Sequence, residues 1–93
     1  MTSPTRRPLI AGTWKMHRTI DGSVELARSL ADSARIGPRT DVVVAPVFTA
    51  LHAVSKALLG SAIGLAGQHC HWEDQGAFTG EIAPPMLKGD VKL

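Results

Sequence analysis

The sequence predicts an α/β fold in which parallel strands alternate with helices. Three short apolar runs, "PLIAGTW", "DVVVAPVF" and "AIGLAGQ", recur along the chain, and the first two are each followed by a segment with helical periodicity. The second run holds three consecutive valines, which is typical of a strand covered on both faces, as in a parallel sheet with helices outside. Strands that alternate with helices favour parallel pairing through right-handed crossovers.

The first unit is predicted to be a strand from Pro8 to Trp14 and a helix within residues 17–37. Apolar residues at three-to-four spacing define the expected buried stripe of the helix: Ile20, Val24, Ala27, Ala31 and Ala34. Such a stripe is the mark of an amphipathic helix. Gly37 and Pro38 are expected to end this helix.

Side chains of the first strand should alternate between two faces. Leu9, Ala11, Thr13 and Lys15 then share one face, and Ile10, Gly12, Trp14 and Met16 share the other. Because Trp14 and Met16 are large and apolar, we expect their face to lie under the helices. Lys15 then points away from the helices at the carboxyl end of the strand, where α/β proteins bind their ligands.

The second and third units follow the same pattern. Pro46 should end the second strand, and residues 49–59 form a helix with Leu51, Val54 and Leu58 on its buried face before Gly60. The third apolar run precedes a polar stretch over residues 69–79. A short helix within residues 80–89 should carry its prolines in the first turn. The last four residues, "DVKL", read as the start of a fourth strand, so we expect residues 1–93 to be a truncated domain.

The composition excludes several classes of function. The chain has 93 residues, of which 44% are hydrophobic and 19% charged, which is ordinary for a folded globular protein. The net charge of +2 is scattered, so we expect no nucleic-acid partner. The longest nearly apolar stretch has 11 residues, too few to span a membrane. Cys70 is the single cysteine and fits a reducing compartment, so we expect a cytoplasmic protein.

Two segments could carry chemistry. Lys15 either extends into solvent from the strand end or is held in a cleft where its ammonium attracts an anionic substrate. The stretch "HCHWED" holds five potential metal ligands: His69, Cys70, His71, Glu73 and Asp74. Because the paired spacings of zinc sites are missing, we expect no metal there and read these residues as parts of a polar loop.

Several blocks resemble the N-terminal part of the triosephosphate isomerase family. They are "AGTWKMHRT", "VVVAP", "GQHCHWEDQGAFTGEI" and "PPMLK". The family pattern has a G-N-W-K-M block and a G-A-F-T-G-E block in the same order. The resemblance implies a partial (β/α)₈ TIM barrel, in which this chain supplies strands one to three, their helices and the start of strand four. It also implies interconversion of dihydroxyacetone phosphate and glyceraldehyde 3-phosphate through an enediol or enediolate, in glycolysis and gluconeogenesis, without a cofactor.

The resemblance assigns roles to individual residues. Lys15 matches the family's catalytic and substrate-binding lysine, and Thr13 stands where the family has a substrate-binding asparagine. Gln68 matches a family position just after the third strand, which we interpret as structural. The stretch 69–79 matches a loop that enters a pocket of the neighbouring subunit of a homodimer. Its expected interface residues are Asp74, Gln75, Gly76, Phe78, Thr79 and Glu81.

Other family residues have no counterpart in this sequence. The catalytic histidine and glutamate fall beyond the position matched by Leu93, and His17, His52, His69, His71 and Glu81 do not match them. We therefore expect these 93 residues alone to be inactive. Two alternatives stay open: a noncatalytic or vestigial interaction module, and an isomerase for a related tetrulose phosphate, because Thr13 changes the surroundings of Lys15.

Overall fold

Three parallel strands and three helices alternate along the chain, as seen in a computed structural model that describes residues 6–33 and 39–91. The strands are β1 (Leu9–Thr13), β2 (Asp41–Ala45) and β3 (Ile63–Leu65). The helices are α1 (Ile20–Ser33), α2 (Phe48–Ala57) and α3 (Pro84–Leu87). The predicted α/β order is confirmed.

The sheet has the strand order β1-β2-β3, and both neighbouring pairs are parallel. Ala11 lies opposite Val43, and Val43 opposite Gly64, so these three residues share one face. The other face carries Val44 and Leu65 and packs against α1 and α2. The helices therefore cover this face at β2 and β3, whereas β1 is exposed on both faces, at Ile10 on the helix side and at Leu9 and Thr13 on the other.

The core lies between the sheet and the two longer helices. Its buried members are Ala27, Val44, Ala50, Leu51, Val54, Leu58, Ile63 and Leu65. The stripe predicted for α2 is confirmed, since Leu51, Val54 and Leu58 are all buried. Gly60 ends that unit with a φ of 82°, a left-handed conformation that glycine adopts without steric cost.

Three expectations are wrong in part. Met16 is 90% exposed instead of lying under the helices, because β1 ends at Thr13 and the chain turns at Lys15. Ile20 is 47% exposed at the first position of α1, while Ser23 and Ala27 are fully buried on that helix. Asp90 and Val91 are not in a strand, and the other two residues of the expected fourth strand lie outside the described residues, as do Ala34, Gly37 and Pro38.

The polar stretch 69–79 contains no helix or strand, as expected. The prolines of "PPML" occupy the first turn of α3, where their missing N–H groups cost no helical hydrogen bond. Among residues 6–33 and 39–91, no helix has the length and apolar character needed to cross a membrane.

Candidate functional site at the carboxyl ends of the strands

The carboxyl ends of the three strands meet at one edge of the sheet because all strands run in the same direction. Thr13 ends β1, and its register partner Ala45 ends β2. Lys15 follows Thr13 after one residue, and Gln68 follows β3 after two. The structure thus brings the predicted site residues Thr13 and Lys15 to this edge, and both are exposed there.

Lys15 has an unusual backbone conformation. Its φ is 53°, in the left-handed region that residues with a β-carbon seldom occupy. Within the part of the chain that the structure describes, no ion pair or hydrogen bond engages its ammonium group. The strand end therefore presents an uncompensated cation on a constrained stretch of backbone. Such strain is characteristic of functional sites.

Gln68 binds the backbone at this edge. Its Nε2 donates to the carbonyl oxygens of Lys15 and of Ala45, both at 2.9 Å. The backbone N–H of Trp14 donates to the same oxygen of Ala45 at 3.0 Å. We call these four residues, Trp14, Lys15, Ala45 and Gln68, the strand-end clamp. The structural interpretation of Gln68 agrees with these contacts.

The loop 69–79 begins directly after Gln68 and carries most of the expected interface residues. Its base is closed by the backbone bond from His71 N to Ile82 O, at 2.8 Å. The expected interface residues from Asp74 to Glu81 are all exposed in this chain. Trp72 is 85% exposed and Phe78 is also exposed, so the loop presents two aromatic side chains to its surroundings.

Glu81 closes the same loop through its side chain. Its Oε1 lies 2.8 Å from His69 Nε2 and 3.6 Å from His71 Nδ1. The hydrogen bond from His69 lowers the pKa of the Glu81 carboxyl, and the charges of both histidines act in the same direction against the opposing effect of burial. The ring of His71 also packs on Phe78, with centroids 4.1 Å apart. Glu81 therefore holds its own loop together.

A cavity of about 190 Å³ lies beneath this loop and is lined by side chains that include His71, Phe78, Glu81 and Met86. Gly76 has a φ of 144°, and a β-carbon there would stand 2.7 Å from the Phe78 ring, so only glycine fits this turn.

Within residues 6–33 and 39–91, no group of three or more His, Cys, Asp or Glu side chains is placed to hold a metal ion.

The opposite end of the sheet carries an ion pair. Arg7 Nη2 lies 2.8 Å from Asp41 Oδ1, and Arg7 Nε donates to both carboxylate oxygens at 3.2 Å. The hydrogen bond from Arg7 lowers the pKa of Asp41. This pair joins residues just before β1 to the start of β2, far along the strands from Lys15.

Two features of the site were missed from the sequence. The left-handed φ of Lys15 had no signal, because glycine or asparagine usually marks such a position. The contacts of His69 and His71 with Glu81 were also missed. Two histidines separated by one residue and a carboxylate ten residues after the second are a signal of loop closure, but from the sequence we interpret the histidines as polar loop residues and Glu81 as an interface residue, without joining them.

Comparison with known proteins shows which family the chain resembles. A sequence model of the family described as "Triosephosphate isomerase" matches residues 8–91. The chain is 54% identical over 83 residues to a triosephosphate isomerase of Pelobacter propionicus, which covers 89% of this chain and 33% of the relative. It is 49% identical over 83 residues to one of Clostridium perfringens, again covering 89% and 33%. A relative from Geotalea uraniireducens is 45% identical over 82 residues, covering 88% and 33%. The chain thus spans about a third of the length of these curated relatives.

Proposed function

Because this chain belongs to the triosephosphate isomerase family, we propose that it supplies the first part of an enzyme that interconverts dihydroxyacetone phosphate and glyceraldehyde 3-phosphate. The reaction moves a proton between neighbouring carbons through an enediol or enediolate and uses no cofactor. Its place is in cytoplasmic glycolysis and gluconeogenesis. The observation that carries the proposal is the free cation Lys15 at the carboxyl end of β1.

Lys15 is the catalytic and substrate-binding residue in this proposal. The substrate carries a phosphate dianion, and its carbonyl oxygen gains negative charge as the neighbouring proton leaves. An ammonium group without a protein counterion attracts that dianion and stabilises the developing oxyanion. Thr13 ends the same strand and is exposed beside it. Its hydroxyl can offer one hydrogen bond to the substrate, with a shorter reach than the amide of the family's asparagine.

The rest of the site comes from outside residues 1–93 in this proposal. A complete (β/α)₈ barrel needs about 250 residues and gathers its site from the carboxyl ends of several strands. In this proposal residues 1–93 form the N-terminal portion of that domain, and a coverage of 33% of the relative's length is consistent with a part of one barrel. The proton-transferring glutamate and the histidine electrophile are expected in the remaining two-thirds. Without a base within reach of the substrate proton, these residues alone are inactive.

We further propose a homodimer that forms through the loop 69–79. The exposed residues Asp74, Gln75, Gly76, Phe78, Thr79 and Glu81 would contact the neighbouring subunit. Exposed aromatic side chains on this loop support the assignment, because aromatic residues are enriched where protein surfaces meet. The internal bonds of Glu81 would hold the loop in the shape that the neighbour receives.

A hybrid barrel tests the proposal. Residues 1–93 are joined after Leu93 to the remaining two-thirds of the Pelobacter propionicus relative, and isomerisation is followed in both directions with coupled dehydrogenases. We expect turnover by the hybrid and none by residues 1–93 alone. Lys15→Met should lower kcat/KM by about 10²-fold or more while circular dichroism stays unchanged. A folded hybrid without turnover, or with turnover indifferent to Lys15→Met, would refute the assignment.

Thr13 favours a second candidate, an isomerase for a four-carbon ketose phosphate. The hybrid and its Thr13→Asn variant should be compared with three- and four-carbon substrates. A preference for the four-carbon substrate that Thr13→Asn reverses would support this candidate.

A noncatalytic interaction module is the other alternative, favoured by the exposure of Trp72. A stable complex of residues 1–93 in sedimentation, together with an inactive hybrid, would support it.

A further inference from the structure

The strand-end clamp joins all three strands through one side chain. Gln68 follows β3, while its two acceptors belong to Ala45, at the end of β2, and to Lys15, just after β1. A glutamine amide has two N–H donors, and these two bonds use both of them. The Ala45 oxygen accepts from Gln68 and from Trp14 N, which uses both of its lone pairs. Both amide donors of Gln68 and both lone pairs of the Ala45 oxygen are therefore engaged within the clamp.

The clamp acts on Lys15, one of two residues other than glycine that have a positive φ among the described residues; the second is Arg18, at 77°, which takes no part in the clamp. Lys15 has a φ of 53°, and such a conformation persists only where the surrounding structure fixes it. The bond from Gln68 holds the peptide group that follows Lys15, and the bond from Trp14 to Ala45 holds the backbone just before it. The backbone before Lys15 is thus held to the end of β2, through Ala45, and the backbone after it is held to Gln68, the third residue after β3.

The direction in which the lysine side chain leaves the backbone depends on these flanks. The ammonium stands at the end of a long flexible side chain, so a change of φ at Lys15 would redirect the side chain and move the charge. A misplacement of about 1 Å can lower a rate by about 10²-fold. A residue that keeps the backbone of Lys15 in place therefore controls where the charge meets the substrate.

We infer that Gln68 is a positioning residue for Lys15, which it holds in the left-handed conformation that aims the ammonium at the substrate. The inference rests on the proposed function, since it requires that Lys15 act on the substrate. In these bonds Gln68 contacts only protein atoms. Besides joining the strands, its amide would therefore position a residue that acts on the substrate.

Gln68→Met in the hybrid barrel is the direct test, because methionine has a similar size but no N–H donor. We expect kcat/KM to fall by about 10²-fold and the crystal structure of the variant to show Lys15 outside the left-handed region. Gln68→Asn keeps the amide on a shorter side chain and should lose less activity. It also serves as the test variant if Gln68→Met does not fold.

A double-mutant cycle separates positioning from general stabilisation. Gln68→Met in the Lys15→Met background should cost nothing further in kcat/KM if Gln68 acts through the ammonium. His52→Ala is the control, because it removes another long-range hydrogen bond, from His52 Nδ1 to Asp90 Oδ1 at 2.8 Å, away from the strand ends. This control should lower the melting temperature without changing kcat/KM.

The outcomes distinguish the two proposals. If the hybrid has no activity, the proposed function fails, and the φ of Lys15 in Gln68→Met still decides whether the clamp holds the backbone. A Lys15 that keeps its left-handed conformation in that variant overturns the inference. Equal losses of kcat/KM in both Lys15 backgrounds would overturn it as well, because they would assign Gln68 a structural role only.

Discussion

The left-handed backbone of Lys15 predicts that glycine is more stabilising than alanine at this position. Both substitutions remove the ammonium, so their difference reports the backbone alone. The left-handed conformation costs a residue with a β-carbon about 1–2 kcal/mol, and Lys15 has a φ of 53°. The greater freedom of glycine in the unfolded chain offsets about 0.4–1 kcal/mol of this gain. At the midpoints of these two ranges, Lys15→Gly should therefore be more stable than Lys15→Ala by about 0.8 kcal/mol.

Thermal unfolding of the two variants in the hybrid barrel measures this difference. A gain near 1 kcal/mol corresponds to about 2–4 °C in Tm for a domain of this size. Lys56, in the last turn of α2, is the matched control, because it is an exposed lysine in a helix. There the sign should reverse, with glycine less stable than alanine by about 1 kcal/mol. Equal stability of the two Lys15 variants would refute the argument from strain. So would a stability difference between glycine and alanine that has the same sign at Lys15 and at Lys56.

Three further predictions concern the core and the loop. Leu65→Ala should lower the free energy of unfolding in urea by about 2–5 kcal/mol, because Leu65 is fully buried in β3. Ser23→Ala should raise it by about 1 kcal/mol, since the buried Ser23 hydroxyl has no hydrogen-bond partner among the described residues and alanine favours helix. The pKa of Glu81 is lowered from 4.5, so its stabilisation is complete above that pH and is lost as the pH falls through the lower folded value. Acidification from about pH 6 to about pH 3 should therefore lower the Tm of the hybrid more than that of its Glu81→Gln variant.

The elements were predictable where local pattern and tertiary burial agree. The valine run predicted β2, and the spacing of Leu51, Val54 and Leu58 predicted α2. A strand buried on both faces requires consecutive apolar residues, and a buried helix face requires them every three to four residues. The pattern failed at the ends of elements. Met16 and Ile20 fit an apolar period, yet they lie where β1 has ended and α1 begins, so no neighbouring layer covers them.

The candidate site was predictable only in part, because residue type can be read locally and contacts cannot. A lysine at the end of an apolar run indicated a cation at the strand ends, which the structure places there. The bond from Gln68 to Lys15 joins residues 53 positions apart and exists only because β1, β2 and β3 lie side by side. The same holds for Glu81 and His69, whose contact depends on how the loop folds back.

The three strands differ in how much of their surface is buried, and this difference bears on how firmly the backbone of Lys15 is held. β3 is buried along its whole length, whereas β1, which precedes Lys15, is the most exposed strand. Leu9 and Ile10 point to opposite faces and are 60% and 58% exposed, so β1 is open on both sides of the sheet. β1 also has a free edge, since its single strand partner among the described residues is β2. In this chain Lys15 is therefore anchored from one side alone, through Ala45 and Gln68. Under the proposed function, we expect barrel closure to cover β1 from the other side, so that the completed barrel would hold the lysine more rigidly and would also supply the base that the proposed reaction requires.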